Sequence, residues 1–137
     1  MPTAGYSGTP LLKKLGITEQ SKLLLVNAPA DYGQLLEANP ADFACKKNEV
    51  PTIVHLFALN NKQFENEMKK LVSIIKKNND ISIWVSWYKK SAKMNTDLTE
   101  DIIRNYALKH ELVDVKVCAV SDIWSGLKLV VPKALRK

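Results

Sequence analysis

The chain has 137 residues, 46% of them apolar and 25% charged, and a formal net charge of +6, which is the profile of a folded globular protein with enough length to bury its own core. Apolar runs such as Leu23–Pro29 and Ile53–Leu59 fall far short of the roughly 18 residues that cross a bilayer, and the N-terminal M-P-T-A-G-Y-S-G lacks the basic start and apolar stretch of a secretory signal. A cytoplasmic location is therefore expected, with Cys45 and Cys118 as free thiols and no membrane association.

The positive charge raises the question of nucleic acid, but the lysines are spread along the chain and interleaved with acids, as Glu65 and Glu67 are among Lys62, Lys69 and Lys70. No recognition motif accompanies them, so nucleic-acid binding through this diffuse basic surface is disfavoured.

In chain order, Thr9 followed by Pro10 reads as an N-cap with proline at the first helical position, and Gly16 closes the short helix L-L-K-K-L. Lys22–Ala28 has the length and character of a buried strand ended by Pro29. Asp31 with Gln34 suits the start of a short helix through Leu35 and Leu36, stopped by Asn39–Pro40. Phe43–Val50 fits a short strand or a loop equally. Thr52–Leu59 is apolar on both of its alternating faces, the mark of a strand covered on both sides. Asn60 and Gln63 then form a capping box before a helix with Phe64, Met68, Leu71, Val72 and Ile75 on one face.

Ile81–Tyr88 is the third clear strand. Leu98, Ile102, Tyr106 and Ala107 give a second amphipathic helix, with Asp97, Glu100 and Asp101 at its start and Lys109 and His110 near its end. Asp114–Ile123 and Leu127–Val131 are two apolar runs joined through W-S-G, a connection short enough only for an antiparallel hairpin whose tip would carry Trp124. Strands alternating with helices predict a single-domain, Rossmann-like three-layer α/β sandwich with a mainly parallel sheet and an antiparallel C-terminal hairpin. That second half resembles the C-terminal half of the methyltransferase fold. The expected domain covers 1–137, with an arm and short helix over 5–17, an α/β core over 22–131 and a tail over 132–137.

Open α/β sheets bind ligands beyond the carboxyl ends of their parallel strands, which are here Asn27–Pro29, Leu59–Asn61 and Ser86–Lys90. A nucleotide or S-adenosylmethionine cradle needs a glycine-rich turn after the first strand. V-N-A-P-A-D-Y-G instead puts Pro29, without an N–H, where the cradle would donate, so a standard cofactor site is not expected. His55 in mid-strand reads as a core histidine rather than a base, and His110 as a helix-end contact. Cys45 reads as a small core residue rather than a nucleophile near His55. The two cysteines and two histidines make no zinc signature, and no G-x-S-x-G elbow is present.

The remaining candidates are Asn27, Asn60, Trp87, Tyr88, Lys89, Lys90 and Lys93 as a ligand-binding set. Lys89, Lys90 and Lys93 sit between a strand's carboxyl end and a helix start, where anions are favoured, although Asp97, Glu100 and Asp101 would repel a phosphate there. Trp124, if exposed at a hairpin tip, would mark an interface and a homo-oligomer.

The segments G-Y-S-G-T-P-L-L-K-K-L-G-I (Gly5–Ile17), L-L-L-V-N-A-P (Leu23–Pro29), V-H-L-F (Val54–Phe57), W-V-S-W with Lys89–Lys90, T-D-L-T-E-D (Thr96–Asp101) and L-V-D-V-K-V-C-A-V with W-S-G-L-K-L-V (Leu112–Val130) resemble the bacterial domain-of-unknown-function 3052 family. The resemblance covers nearly the whole chain. It departs at Tyr88, where proline is expected, at Glu111, where glycine often sits, and in the tail after Val131. It implies the fold above and no assigned activity. The expectation is a non-catalytic protein, without cofactor or metal, that binds a partner protein or a small anionic ligand at the strand carboxyl ends. The alternatives are a divergent methyltransferase-like enzyme and a nucleic-acid-binding protein.

Overall fold

The computed structural model describes residues 10–136. Thr9, expected to cap the first helix, and the Gly5–Gly8 part of the family pattern lie outside the described residues. Among the described residues no helix is long and apolar enough to cross a membrane.

Five strands form one sheet: β1 (Leu23–Val26), β2 (Ile53–Phe57), β3 (Ser82–Tyr88), β4 (Val113–Ala119) and β5 (Trp124–Val130), in the order β1-β2-β3-β5-β4. β1, β2 and β3 pair in parallel, and β5 lies antiparallel between β3 and β4, so four strands run one way and one against them. Helices α1 (Leu11–Lys14) and α2 (Tyr32–Leu36) cover one face, packing on Ile53, Phe57 and Trp84. Helices α3 (Asn61–Lys77) and α4 (Glu100–Lys109) cover the other, over Val54, Leu56, Ile83, Val85 and Leu127. The chain is thus a Rossmann-like three-layer α/β sandwich.

The two-faced layering follows from the direction of each crossover. From β1 the chain passes outward through α2 to Ala44, which bridges Leu23 in parallel through Leu23 N–H to the Phe43 carbonyl (2.7 Å) and Cys45 N–H to the Leu23 carbonyl (2.9 Å). It then returns to the other side of β1, where Thr52 Oγ1 accepts from Lys22 N–H (2.8 Å) and β2 begins. From β2 onward it moves only toward β3 and beyond. Right-handed crossovers in opposite directions place their helices on opposite faces, so the topological switch lies between β1 and β2. The ambiguous stretch Phe43–Val50 is accordingly a loop with one bridging residue.

Local chemistry sets the helix ends. Gly16, at φ +77°, closes α1: its N–H bonds the Lys13 carbonyl (3.1 Å) and Ile17 N–H bonds that of Leu12 (3.0 Å), the paired bonds of a left-handed helix stop. Asn60 accepts from Gln63 N–H (2.8 Å) at the start of α3, while the Gln63 side chain reaches back to Leu59 N–H (2.7 Å), one residue earlier than the box predicts. Phe64, Met68, Leu71 and Ile75 are its buried stripe. Asp31 precedes α2 but its side chain makes no cap bond, so the box with Gln34 does not form. Thr99 caps α4, whose buried residues are Ile103 and Ala107, flanked by half-buried Ile102 and Tyr106; Leu98 is buried just ahead of the helix. Beyond α4, Glu111 holds φ +62° while Leu112 N–H bonds the Ala107 carbonyl (2.8 Å), a position glycine would fill without strain.

The hairpin differs from expectation. W-S-G is not its turn: β4 ends at Ala119, the turn is Val120–Ile123, and Trp124–Gly126 open β5. Ser121 builds that turn, its Oγ accepting from Ile123 N–H (3.2 Å) and Trp124 N–H (3.1 Å). Gly126 serves packing, since a Cβ there would lie 3.0 Å from Val120 and 3.4 Å from the Trp84 ring. Trp124 is consequently 5% exposed, under the first two helices, and not at an exposed tip.

Candidate functional site

The carboxyl edge of the sheet has two corners. At the switch between β1 and β2, Asn27 is exposed in a left-handed conformation (φ +58°), and Pro29, which has no N–H, follows. Behind it the interior is filled. Tyr32 of α2 places its hydroxyl 3.0 Å from His55 Nδ1, and His55 Nε2 lies 2.8 Å from Ser86 Oγ. His55 and Ser86 are fully buried and Tyr32 nearly so, hence no solute reaches this relay. Burial lowers the His55 pKa to about 3, keeping the imidazole neutral, and the same cause raises that of the Tyr32 phenol. The His55 ring stacks on Phe57 (4.3 Å), Phe57 meets Trp124 edge-on (5.0 Å), and Trp124 stacks on Tyr88 (4.4 Å). α1 lies over the same face, accepting a bond from Trp84 Nε1–H through the Leu15 carbonyl (3.1 Å). A histidine satisfied by two hydroxyls inside an aromatic ladder is part of the core.

The α3 N-terminus beside this corner is also taken. Asp97 Oδ1 accepts from the Asn61 backbone N–H at 2.7 Å. Asp97 therefore serves α3 across 36 residues of sequence, not the start of α4 as its position suggests. Asn60 accepts the capping bond of its own helix from Gln63 N–H (2.8 Å). Cys45 donates to the Glu49 carbonyl (3.2 Å), and burial, followed by the Glu49 charge, raises its pKa, which holds the thiol form. His110 packs its ring on Tyr106 (4.2 Å) at the end of α4. Among the described residues no cluster of His, Cys, Asp and Glu is placed to hold a metal ion.

The second corner is open. A cleft of about 750 Å³ lies between the end of β3 and the first turn of α4, of the size of small-molecule sites. Met94 supplies exposed apolar surface, with buried Trp87 and Leu98 behind it; Tyr88 and Ser125 border the cleft; Lys89 and Lys90 stand on the β3 side with Thr96, Thr99, Glu100 and Asp101 toward α4. The Lys89 backbone is fixed by its N–H bond to the Ile123 carbonyl (2.9 Å). Neither Lys89 nor Lys90 forms an ion pair among the described residues. Glu100 and Asp101 are engaged by Arg104, which also bonds Asp114 of β4 (3.2 Å). Hydrogen bonds to Glu100 and then Asp114 raise the Arg104 pKa further.

Of the residues singled out in the sequence, the cleft gathers Trp87, Tyr88, Lys89 and Lys90. Asn27 and Asn60 are not among its walls, and Lys93, exposed at φ +55°, ends the 3₁₀ turn Lys90–Ala92 outside them. Thr96, Thr99, Ser91 and Ser125 were not foreseen. The sequence signal for the first three was only that they share the eleven residues between strand and helix; Ser125 arrives through the register that pairs it with Trp87.

No family model matches the sequence, and no curated protein matches it. Among solved structures, the chain is similar to a protein of the NADB-Rossmann superfamily from Streptococcus agalactiae, with a TM-score of 0.47, 8% identity, and coverage of 90% of this chain and 68% of that one. It is also similar to a candidate tRNA (m1A22) methyltransferase from Streptococcus pneumoniae, with a TM-score of 0.48, 11% identity, and coverage of 89% and 58%. A candidate type 11 methyltransferase from Sulfolobus solfataricus matches with a TM-score of 0.41, 13% identity, and coverage of 82% and 85%. The chain thus spans little more than half of the tRNA methyltransferase candidate.

Proposed function

We propose that this protein is a non-catalytic binding protein that takes a small anionic ligand, or an anionic segment of a partner protein, in the cleft between β3 and α4. The observation that carries the reading is the pair of uncommitted lysines, Lys89 and Lys90, on a cleft bordered by half-buried Tyr88 and by hydroxyl side chains. Ammonium and hydroxyl groups are strong partners for phosphate or carboxylate oxygens. The titratable relay, Tyr32–His55–Ser86, is sealed in the core and out of reach of any cleft ligand.

Thermal-shift measurement with inorganic phosphate, phenyl phosphate and AMP tests it. A ligand at ten times its Kd should raise Tm by about 3 °C or more, and Lys89→Gln/Lys90→Gln should remove the shift. No shift for the wild-type protein with any of the three overturns the reading.

A second reading, a divergent methyltransferase-like enzyme, draws on one observation: an antiparallel strand inserted between two strands that run with the rest of the sheet, as in the methyltransferase half-fold. Pro29 and the filled β1–β2 corner weigh against it. Calorimetric titration with S-adenosylmethionine decides, since absence of heat at sub-millimolar ligand removes this reading.

A further inference from the structure

We infer that the cleft between β3 and α4 is built for a zwitterion: a molecule with an aromatic body, a phosphate at one end and an ammonium at the other. The inference rests on the anion-binding reading of the same cleft and sharpens it. Its basis is the charge carried by the two walls. On the β3 wall, Lys89 and Lys90 present two cations with no carboxylate partner among the described residues. On the α4 wall, Glu100 and Asp101 present two carboxylates.

Those carboxylates are not neutralised. Arg104 is the cation that pairs with them, and it divides its guanidinium among Glu100, Asp101 and Asp114. Two carboxylates on this wall share that one cation with a third on β4, which leaves the wall net negative. The Asp101 side chain is 86% exposed, free to turn an oxygen toward the cleft while Arg104 holds the other. A simple anion seated on the lysines would face this wall across the cleft and be repelled by it. An ammonium group on the same molecule converts that repulsion into attraction.

The space between the walls sets the body of the ligand. Met94 offers exposed apolar surface with the largely buried Trp87 ring behind it, and the volume of about 750 Å³ exceeds what a bare phosphate or a small aliphatic zwitterion fills. A ring between the two charged ends uses that surface, as aromatic groups bury well against Trp and Met.

Isothermal calorimetry on the full chain with three ring-matched probes tests the inference: O-phosphotyramine (both charges), phenyl phosphate (the anionic end alone) and tyramine (the cationic end alone). O-Phosphotyramine should bind about fivefold tighter than phenyl phosphate, the worth of one surface ion pair. Glu100→Gln/Asp101→Asn should abolish that advantage and leave phenyl phosphate binding intact or stronger. Should the double variant unfold, Asp101→Asn alone, at an exposed side chain, should still reduce the advantage. Equal affinity for O-phosphotyramine and phenyl phosphate overturns the zwitterion while leaving the anion reading in place. Tyramine binding as tightly as O-phosphotyramine overturns it as well, because the lysine wall would then contribute nothing. Binding of none of the three removes both readings.

Discussion

Two corners of one sheet edge, a strand apart, are built from similar material and put to opposite use. Both bring an aromatic pair, a hydroxyl and a polar strand end to the point where α/β sheets commonly bind ligands. At the β1–β2 corner the polar groups turn inward and satisfy one another: Tyr32, His55 and Ser86 form a closed relay, and Asp97 occupies the first N–H of α3. At the β3 corner they turn outward, and Lys89 and Lys90 stay without carboxylate partners on a cleft. At the switch point the described residues close over Tyr32, His55 and Ser86, and an open cleft lies one strand further along. What distinguishes a site from a core here is whether the polar groups already have partners, since both corners hold the residue types a site needs.

The largest expected effect breaks the closed corner. Folded His55 takes up its proton only near pH 3, whereas an unfolded histidine does so near 6.5. Below pH 6.5 the unfolded chain therefore binds a proton that the folded chain refuses, and stability falls as pH drops. Between pH 7.5 and pH 5 the loss is about 2 kcal/mol. The contribution of Glu49, held below its usual range by its bond to Lys22, is lost only as pH falls below 4.5, so this window belongs to His55. Urea denaturation at the two pH values measures the loss, and His55→Gln should flatten the profile between them. A wild-type protein equally stable at both would show that the relay is open to solvent.

Next in size is the contact that seals α3. Asp97→Ala removes the carboxylate from the Asn61 N–H, and loss of such a helix-end acceptor costs about 1 kcal/mol. Chemical denaturation should detect this. Phenyl phosphate affinity in the adjacent cleft should remain within about twofold, because Asp97 is not on its walls. If Asp97→Ala instead changed affinity while leaving stability untouched, the boundary drawn between the two corners would be misplaced.

How much of this was legible in the sequence depends on the range of the interaction. Gly16, the Asn60–Gln63 cap and the doubly apolar β2 were readable because each is decided within a few residues, by backbone conformation, by a four-residue hydrogen bond or by period-two burial. The W-S-G turn was misread because glycine has two uses. Gly126 is required by the closeness of Trp84 and Val120, which only the β3–β5 register reveals, while the actual turn is signalled more quietly by Ser121. Asp97 was assigned to the nearer helix, since sequence distance favours α4 and only the folded chain brings it to α3. The partners of His55 are 23 and 31 residues away and carried no local pattern at all. The cleft was half legible: its lysines and aromatics are contiguous, but Ser125 reaches it through strand pairing.

The smallest expected effect on stability is at the open corner, and there the smallness is the point. Lys89 and Lys90 make no ion pair among the described residues, so Lys89→Gln/Lys90→Gln breaks none, and stability should stay within about 0.5 kcal/mol of the wild type. Removing two like charges from a chain of net charge +6 would, if anything, relieve self-repulsion and raise stability slightly. Anion binding should disappear in the same variant. Groups held for a ligand are dispensable to the fold, whereas groups that complete the core are not, so the pairing of lost binding with unchanged stability is the signature that separates this corner from its neighbour. A double variant that lost 2 kcal/mol or more would place both lysines among the structural residues, and the two corners would then differ in accessibility alone.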